Sequence, residues 1–319
     1  MNALEQLQKL TVVVADTGDR SAIERFRPVD CTTNPSLVLS AFKSGPSVGW
    51  TEKVLSDCIS ENMSNDQIIQ ELTCALAADL SELVPGRVSI EIDPFLSFDA
   101  EASVRSAIEI VSNMKNRGIP KSKILIKLAS TWEGIKAASS LQKQGIDCNM
   151  TLIFSLTQAK ACADAGAFLI SPFVGRITDW YKSNLGVESF DPDSDPGVMS
   201  VREIYHHYKN SGIDTIVMGA SFRSIEQVKA LAGCDRLTIS PNLLEQLSQD
   251  SSGVERVLAP TKPKNHSHSD QHLSESLFRW GINEDPMAVE KLSEGIRKFN
   301  ADKLSLLDWV KKLVRGNRN

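Results

Sequence analysis

The stretch "KILIKLAS" (residues 123–130) decides the fold, because it combines the pattern of a buried strand with an unexpected charge. Apolar residues flank Lys127 on both sides. A short, nearly continuous apolar run is typical of a strand in a parallel sheet that is covered on both faces. A lysine inside it either extends its ammonium to water at the strand end or takes part in chemistry. The remaining sequence has to distinguish these two interpretations.

Seven other β-rich runs recur along the chain, with helical patterns between them. They are 11–18, 29–35, 87–93, 146–155, 167–175, 214–222 and 235–241. The run at 29–35 is the weakest, because few of its residues favour strands. Alternation of strands and helices predicts a parallel sheet with helices outside. Eight such units predict an α/β fold of the (β/α)8 TIM barrel type with extra helices.

The helical segments are read from their apolar spacing. In 100–117, Val104, Ile108 and Val111 recur at helical intervals with Met114 behind them, which predicts an amphipathic helix. Asp99 is the expected N-cap, and Gly118 ends the helix. We expect one domain over 1–319, with a helical insertion near 38–84 and a helical C-terminal tail over 243–319.

Composition and charge exclude several classes of protein. The chain is 41% hydrophobic and 24% charged, as in ordinary globular proteins. A net charge of −5 argues against a nucleic-acid partner, so an anionic substrate would need local arginines. The six cysteines form no CxxC pair, which favours reduced thiols and a cytoplasmic location. No apolar run approaches the length that spans a bilayer, so we expect no membrane partner.

The sequence lacks the motifs of common cofactor and metal sites. It has neither a GxGxxG that opens a helix nor a P-loop. Three histidines, His266, His268 and His272, lie in the polar stretch 261–272, where no cysteine or carboxylate cluster accompanies them. We therefore predict a surface loop at 261–272, and neither a cofactor nor a metal site in the protein.

Polar side chains occur near the ends of most predicted strands. They are Asp16, Thr32, Thr33, Asn34, Ser89, Glu91, Asp93, Lys127, Ser130, Asn149, Thr151, Ser171 and Ser221. Residues two apart share a face of a strand, so Ser89, Glu91 and Asp93 are expected to line up. Buried polar groups cost free energy unless they are paired, and functional groups of this fold gather at the C-terminal mouth of the barrel. The pattern favours a catalytic role for Lys127.

A buried lysine suggests Schiff-base chemistry. Only the neutral amine attacks a carbonyl, and burial disfavours an ammonium. The resulting iminium draws electrons from a neighbouring carbon–carbon bond, which can then break. Asp16 is a candidate acid/base for the substrate hydroxyl, and Glu91, through a water held by Thr151, is a candidate for the dehydration steps. Arg176 and Arg223 follow late strands, where this fold often binds phosphate; the alternative for each is a surface ion pair.

The chain resembles transaldolases of the longer bacterial and eukaryotic type. The resemblance covers nearly the whole chain and lies in "TVVVADTGD" (11–19), "TTNPSL" (32–37), "ILIKLASTWEGI" (124–135), "CNMTLIFSLTQA" (148–159), "LISPFVGRITDWY" (169–181), "VMGASFR" (217–223), "AGCDRLTISP" (232–241) and "DPMAVEKLSEGIRKF" (285–299).

This resemblance implies a cytoplasmic enzyme of the pentose phosphate pathway that acts on sugar phosphates. The enzyme would transfer a dihydroxyacetone unit from sedoheptulose 7-phosphate or fructose 6-phosphate to erythrose 4-phosphate or glyceraldehyde 3-phosphate. A homodimer is compatible with this resemblance. Lys127 would form the Schiff base, with Asp16 and Glu91 as proton-transfer groups and Thr151 positioning a water. The implied substrate-binding residues are Thr32, Asn34, Ser89, Asn149, Ser171, Phe173, Arg176, Ser221 and Arg223.

The sequence departs from the family pattern after the third strand. Where the family usually reads STEVDARLS, this chain reads "SIEIDPFLS" (89–97), so Ile90 replaces a threonine and Pro94-Phe95 replaces Ala-Arg. Two alternatives stay open. One is a lysine aldolase that releases free dihydroxyacetone, against which Phe173 argues, since related fructose 6-phosphate aldolases carry tyrosine there. The other is a non-catalytic barrel that serves as a binding protein.

Overall fold

The structure, a computed structural model, describes residues 1–44, 49–260 and 273–316. Eight parallel strands follow one another around a closed barrel, and the eighth pairs with the first. They are β1 (Val12–Asp16), β2 (Asp30–Thr32), β3 (Val88–Glu91), β4 (Ile124–Ala129), β5 (Cys148–Ile153), β6 (Leu169–Pro172), β7 (Ile216–Gly219) and β8 (Arg236–Ile239). The predicted (β/α)8 barrel is confirmed, and each strand lies inside its predicted run. The loop predicted at 261–272 lies outside the described residues.

The helices cover the outside of the barrel and one of its ends. They are α1 (Ala3–Leu7), α2 (Arg20–Phe26), α3 (Pro35–Ser44), α4 (Gly49–Ser60), α5 (Asn65–Leu83), α6 (Ala100–Asn116), α7 (Trp132–Lys143), α8 (Leu156–Asp164), α9 (Gly175–Leu185), α10 (Pro196–Asn210), α11 (Ile225–Lys229), α12 (Pro241–Gln249), α13 (Glu275–Asn283) and α14 (Pro286–Gly316). No helix within the described ranges is long and apolar enough to cross a membrane.

The barrel interior is apolar in its middle and becomes polar toward the C-terminal ends of the strands. Val14, Leu125, Leu169 and Met218 form a buried cluster contributed by four strands. Two residues further along three of these strands come Asp16, Lys127 and Ser171, and residues two apart in a strand point to the same face. The sequence thus places a polar layer directly above an apolar floor, at the C-terminal mouth where this fold carries its chemistry.

Helix α6 is present as predicted, and all but one of its predicted apolar positions face the core. Asp99 caps the helix as predicted, because its Oδ1 accepts a hydrogen bond from the Ala102 N–H at 2.9 Å. Ile108 is 43% exposed, whereas Val104 and Val111 pack half-buried against the core and Met114 is fully buried. The buried face consists of Ser103, Ala107, Ile110 and Met114. The small residues there let α6 approach the helices on either side of it.

Candidate active site

A small cavity of about 80 Å³ opens at the C-terminal ends of the strands. Its lining residues come from most strands of the barrel and from the long helix α14. They are Asp16, Thr32, Asn34, Lys127, Thr151, Ser171, Phe173, Arg176, Ala220, Ser221, Thr238 and Phe299. Most of the predicted site residues therefore meet in one place.

Lys127 and Glu91 form a buried ion pair beside this cavity. The β3–β4 register sets Glu91 directly opposite Lys127. The Lys127 Nζ lies 3.2 Å from the Glu91 Oε2, with side-chain exposures of 6% and 5%. Nζ also donates a hydrogen bond to the Thr33 carbonyl oxygen at 3.2 Å. The amine is therefore held between two oxygens with its free direction toward the cavity.

Asp16 is held by a chain of hydroxyls that crosses the barrel seam. The Thr32 hydroxyl donates to the Asp16 Oδ1 at 2.8 Å and lies 2.8 Å from the Thr238 hydroxyl. Because Thr32 has one hydroxyl proton, Thr238 must be the donor between the two threonines. Burial raises the pKa of Asp16, and the nearby Lys127 ammonium opposes that rise. A carboxyl group tuned in this way suits acid/base work.

Glu91 and Thr151 have the properties expected of a second proton-transfer pair. Burial raises the pKa of Glu91, and the charge of Lys127 again acts in the opposite direction. The Thr151 Oγ1 is buried and has no hydrogen-bond partner within the described part of the chain. It precedes Leu152, whose φ of +56° lies in the left-handed region, where the β5–β6 register shifts. The irregularity re-aims the strand end that carries Thr151.

The amide and hydroxyl residues form a network beneath and beside the cavity. Ser171 donates to the Asn149 Oδ1 at 2.6 Å, and the Asn149 Nδ2 donates to the Ser89 Oγ at 3.1 Å. Asn34 accepts a hydrogen bond from the Leu37 N–H at 3.0 Å through its Oδ1, which leaves its amide N–H groups for other partners. Ser171 and Asn34 line the cavity, whereas Ser89 and Asn149 lie behind it as support.

The two predicted phosphate-binding arginines have different surroundings. Arg176 lines the cavity, and its buried Nη1 lacks a hydrogen-bond partner among the described residues. Burial and the charge of Arg223 lower the pKa of Arg176. Arg223 lies at the rim, where its guanidinium binds the Asp179 carboxylate and its Nη1 lies 3.3 Å from the Ser221 Oγ. Ser221 itself lines the cavity in a left-handed conformation with φ +61°.

Asp93 does not join the face expected from strand alternation. Its carboxylate accepts a hydrogen bond from the Phe95 N–H at 3.0 Å and caps the 3-10 turn Pro94–Phe98. It also lies 3.1 Å from the Lys303 Nζ on α14. The strand ends at Glu91, so the period of two no longer applies at Asp93, and the expected alignment with Ser89 and Glu91 is wrong.

Three cavity residues, Ala220, Thr238 and Phe299, are absent from the residues predicted from the sequence. Thr238 lies within "DRLTISP" (235–241), so the polar-residue signal used for the other strands could have found it. Phe299 lies on α14, far along the chain from every strand, and the sequence carries no local signal that this ring covers the cavity.

Other features of the described residues do not compete with this site. A larger cavity of about 370 Å³ lies between β3 and helices α5, α6 and α14; it adjoins the site, because Asn34 and Glu91 line it, but Lys127 does not. Within the described ranges, no group of three or more His, Cys, Asp or Glu side chains is arranged to hold a metal ion.

Comparison with known proteins agrees with the geometry. A family model described as Transaldolase/Fructose-6-phosphate aldolase matches residues 13–309. A transaldolase of Agrobacterium fabrum is 53% identical over 97% of this chain and 97% of its own length. Transaldolases of Pseudoalteromonas atlantica and Marinomonas sp. are 50% and 48% identical, each over 98% of this chain and 99% of their own lengths. The chain therefore belongs to the transaldolase/fructose-6-phosphate aldolase family.

Proposed function

We propose that this protein is a transaldolase that transfers a dihydroxyacetone unit through a Schiff base on Lys127. The observation that carries the proposal is the position of the Lys127 amine. It lies 3.2 Å from Glu91, at the wall of a cavity that also contains Asp16 and the unpaired hydroxyl of Thr151. A nucleophile with carboxyl groups in reach is the arrangement that covalent catalysis with proton transfer requires.

The first half of the reaction forms the Schiff base. Glu91 takes the ammonium proton of Lys127, and the neutral amine adds to the ketone carbon of fructose 6-phosphate or sedoheptulose 7-phosphate. A proton then moves from the nitrogen to the former carbonyl oxygen, giving a carbinolamine. Loss of its hydroxyl as water, which needs a proton donor, gives the iminium. Glu91 can give and take these protons through a water held by the Thr151 hydroxyl, since Glu91 lies 3.2 Å from the amine and Thr151 lines the same cavity as Lys127.

The second half breaks and remakes the carbon–carbon bond. Asp16 takes the proton from the donor hydroxyl on C4, a carbon of the C3–C4 bond that breaks; this oxygen becomes the aldehyde of the departing aldose phosphate, and the bonding electrons move into the iminium to form an enamine. The aldose phosphate leaves and a different aldose phosphate enters. The enamine then attacks the new aldehyde carbon, Asp16 returns its proton to the new alkoxide, and water releases the product from Lys127.

Substrate selection follows from the remaining residues. The amide and hydroxyl groups of Asn34 and Ser171, supported by Asn149 and Ser89, provide partners for the hydroxyls of the dihydroxyacetone unit. Thr32 keeps Asp16 in place. Arg176 and Arg223, with Ser221 between them, provide charged donors for the phosphate group.

The second candidate is an aldolase that releases free dihydroxyacetone. Phe173 favours transfer, because an aromatic ring without a hydroxyl offers no additional proton donor beside the intermediate. This ring lines the cavity and packs edge-on against Phe154, with centroids 5.6 Å apart. An assay for free dihydroxyacetone without an acceptor distinguishes the two activities.

The decisive experiment is a transfer assay with fructose 6-phosphate and erythrose 4-phosphate, read out as glyceraldehyde 3-phosphate. Borohydride added with fructose 6-phosphate should trap a three-carbon adduct on Lys127. Lys127→Met should abolish both product and adduct. Lys123→Met is the matched control, since the Lys123 ammonium binds backbone carbonyls outside the cavity. An adduct on another lysine, or full turnover by Lys127→Met, would refute the mechanism.

We further infer that the enzyme works in the cytoplasm, since its described cysteines are free and buried. Fractionation of cells with an antibody to the protein tests that location. Sedimentation equilibrium tests the homodimer that the family resemblance admits.

A further inference from the structure

Helix α14 places an aromatic ring over the mouth of the barrel. Phe299 is 4% exposed and lines the cavity, and its ring centroid lies 6.0 Å from the Lys127 Nζ. Leu292 and Ile296, on the same face of the helix, belong to the same buried cluster. This face of α14 therefore forms one wall of the site rather than an outer layer.

The same ring contacts the guanidinium of Arg176 from one side. The Arg176 Cζ lies 5.2 Å from the Phe299 ring centroid and 4.9 Å from the Phe173 ring centroid. Both distances are within the range of a cation–π interaction. Arg176 thus packs against one ring contributed by the strand end and one contributed by the C-terminal helix.

A glycine permits this close approach. A Cβ on Gly295 would lie 2.7 Å from the Leu152 Cδ2 and 3.1 Å from the Arg176 Nη1. Both distances are shorter than ordinary van der Waals contact, so a side chain at 295 would push against the guanidinium. Helix α14 therefore contacts Arg176 at two positions one turn apart. Phe299 supplies a ring, and Gly295 leaves space for the guanidinium because it has no side chain.

The two rings limit the directions in which the Arg176 guanidinium can form hydrogen bonds. The N–H donors of arginine lie in its plane, and its faces form none. The Arg176 Nη1 is buried without a partner in the described ranges, while the rings restrict rotation of the side chain. A buried, unpaired donor that is already oriented loses little further entropy when an anion binds.

We propose that Phe299 is a positioning residue that clamps Arg176 for recognition of the substrate phosphate. The inference rests on the proposed role of Arg176 as a phosphate ligand. It adds that phosphate affinity is set partly by α14, through a ring that makes no hydrogen bond to the substrate. The expected ligand class is a phosphate monoester, or inorganic phosphate in its place.

The test compares two variants at position 299. Phe299→Leu keeps an apolar side chain but removes the aromatic face, whereas Phe299→Tyr keeps the face. Calorimetry with inorganic phosphate should show about twofold to tenfold weaker binding for Phe299→Leu, because the released Arg176 side chain must then be ordered when phosphate binds, and near-parental binding for Phe299→Tyr. The exposed Leu304→Ala on the same helix is the control and should bind phosphate as the parent does.

A second readout separates positioning from general damage to the site. Dihydroxyacetone carries no phosphate, so its trapping on Lys127 by borohydride should fall by a clearly smaller factor in Phe299→Leu than phosphate binding does, although the ring also lies 6.0 Å from the Lys127 Nζ. Unchanged phosphate binding by this variant, or equal losses of phosphate binding and trapping with a native circular dichroism spectrum, would overturn the proposal. If the parent protein binds phosphate but forms no adduct, the proposed function is refuted. The phosphate-binding comparison between Phe299→Leu and Phe299→Tyr would still decide the role of Phe299.

Discussion

The Asp179 carboxylate binds the Arg223 guanidinium at two nitrogens, with Nη2–Oδ2 at 2.7 Å and Nε–Oδ2 at 3.0 Å. One of the two proposed phosphate ligands is therefore already engaged by an anion of the protein. Both side chains are nearly half exposed, so this pair contributes no more than about 1 kcal/mol. A substrate phosphate can compete with a pair of that strength.

Asp179→Asn should therefore improve phosphate binding. The asparagine oxygen still accepts a hydrogen bond from Arg223, but the competing charge is gone. We expect the KM for fructose 6-phosphate to fall by up to about fivefold at low salt, and by less at high salt. Asp193→Asn is the matched control, because it removes the same charge from a pair with Arg202. A higher KM in Asp179→Asn would mean that the carboxylate holds Arg223 in its binding position.

Lys127→Met should destabilise the protein, because the change leaves Glu91 buried without its cation. The lysine considered alone suggests the opposite, since removing a buried charge usually relieves strain. The ion pair between the Lys127 Nζ and the Glu91 Oε2, 3.2 Å apart, reverses the sign of the expected change in stability. We expect a loss of up to about 3 kcal/mol in the free energy of unfolding, and recovery of most of it when Glu91→Gln is added. Denaturant unfolding of both variants measures this, and a double variant no more stable than Lys127→Met would contradict it.

Asp16→Asn should stabilise the fold at neutral pH and not at acid pH. The pKa of Asp16 is raised from its ordinary value of 3.8, so the folded state binds this proton more tightly than the unfolded state. The parent therefore loses stability as pH rises from about 4 through the folded pKa, and the variant does not. The melting temperature of Asp16→Asn should exceed that of the parent at pH 7 and match it near pH 3. An equal difference at both pH values would show that the carboxyl charge is not the cause.

Replacing Pro94-Phe95 by Ala-Arg should keep the transfer activity within about tenfold of the parent. Phe95 is 77% exposed on the 3-10 turn, and exposed substitutions usually change the free energy of unfolding by less than about 0.5 kcal/mol. Loss of Pro94 lowers the free energy of unfolding by up to about 1 kcal/mol, because the unfolded chain gains conformational freedom. Rates with erythrose 4-phosphate and glyceraldehyde 3-phosphate report any change in acceptor preference. A parent without activity that is rescued by Ala-Arg would show that the departure had removed the function.

The sequence predicted those parts of the structure that depend on local periodicity. Strand–helix alternation was sufficient for the barrel, and polar residues at strand ends were sufficient to find Lys127 and Asp16. On α6 the apolar spacing holds at Val104, Val111 and Met114, but Ile108 is exposed and the small Ala107 beside it is buried instead. Phe299 could not be predicted, since its contact with Arg176 depends on the path of α14 across the barrel mouth.

The hydroxyl chain from Asp16 to Thr238 has a consequence for folding kinetics. The Thr32 and Thr238 hydroxyls that support Asp16 are 206 residues apart, and they meet only when the last strand closes the barrel. Contacts of such long sequence separation form late, because the entropy of closing the intervening chain must be overcome first. On dilution from denaturant, helix content should therefore return before enzymatic turnover. Stopped-flow circular dichroism and an activity assay on the same refolding sample should show two phases, with barrel closure as the slower one.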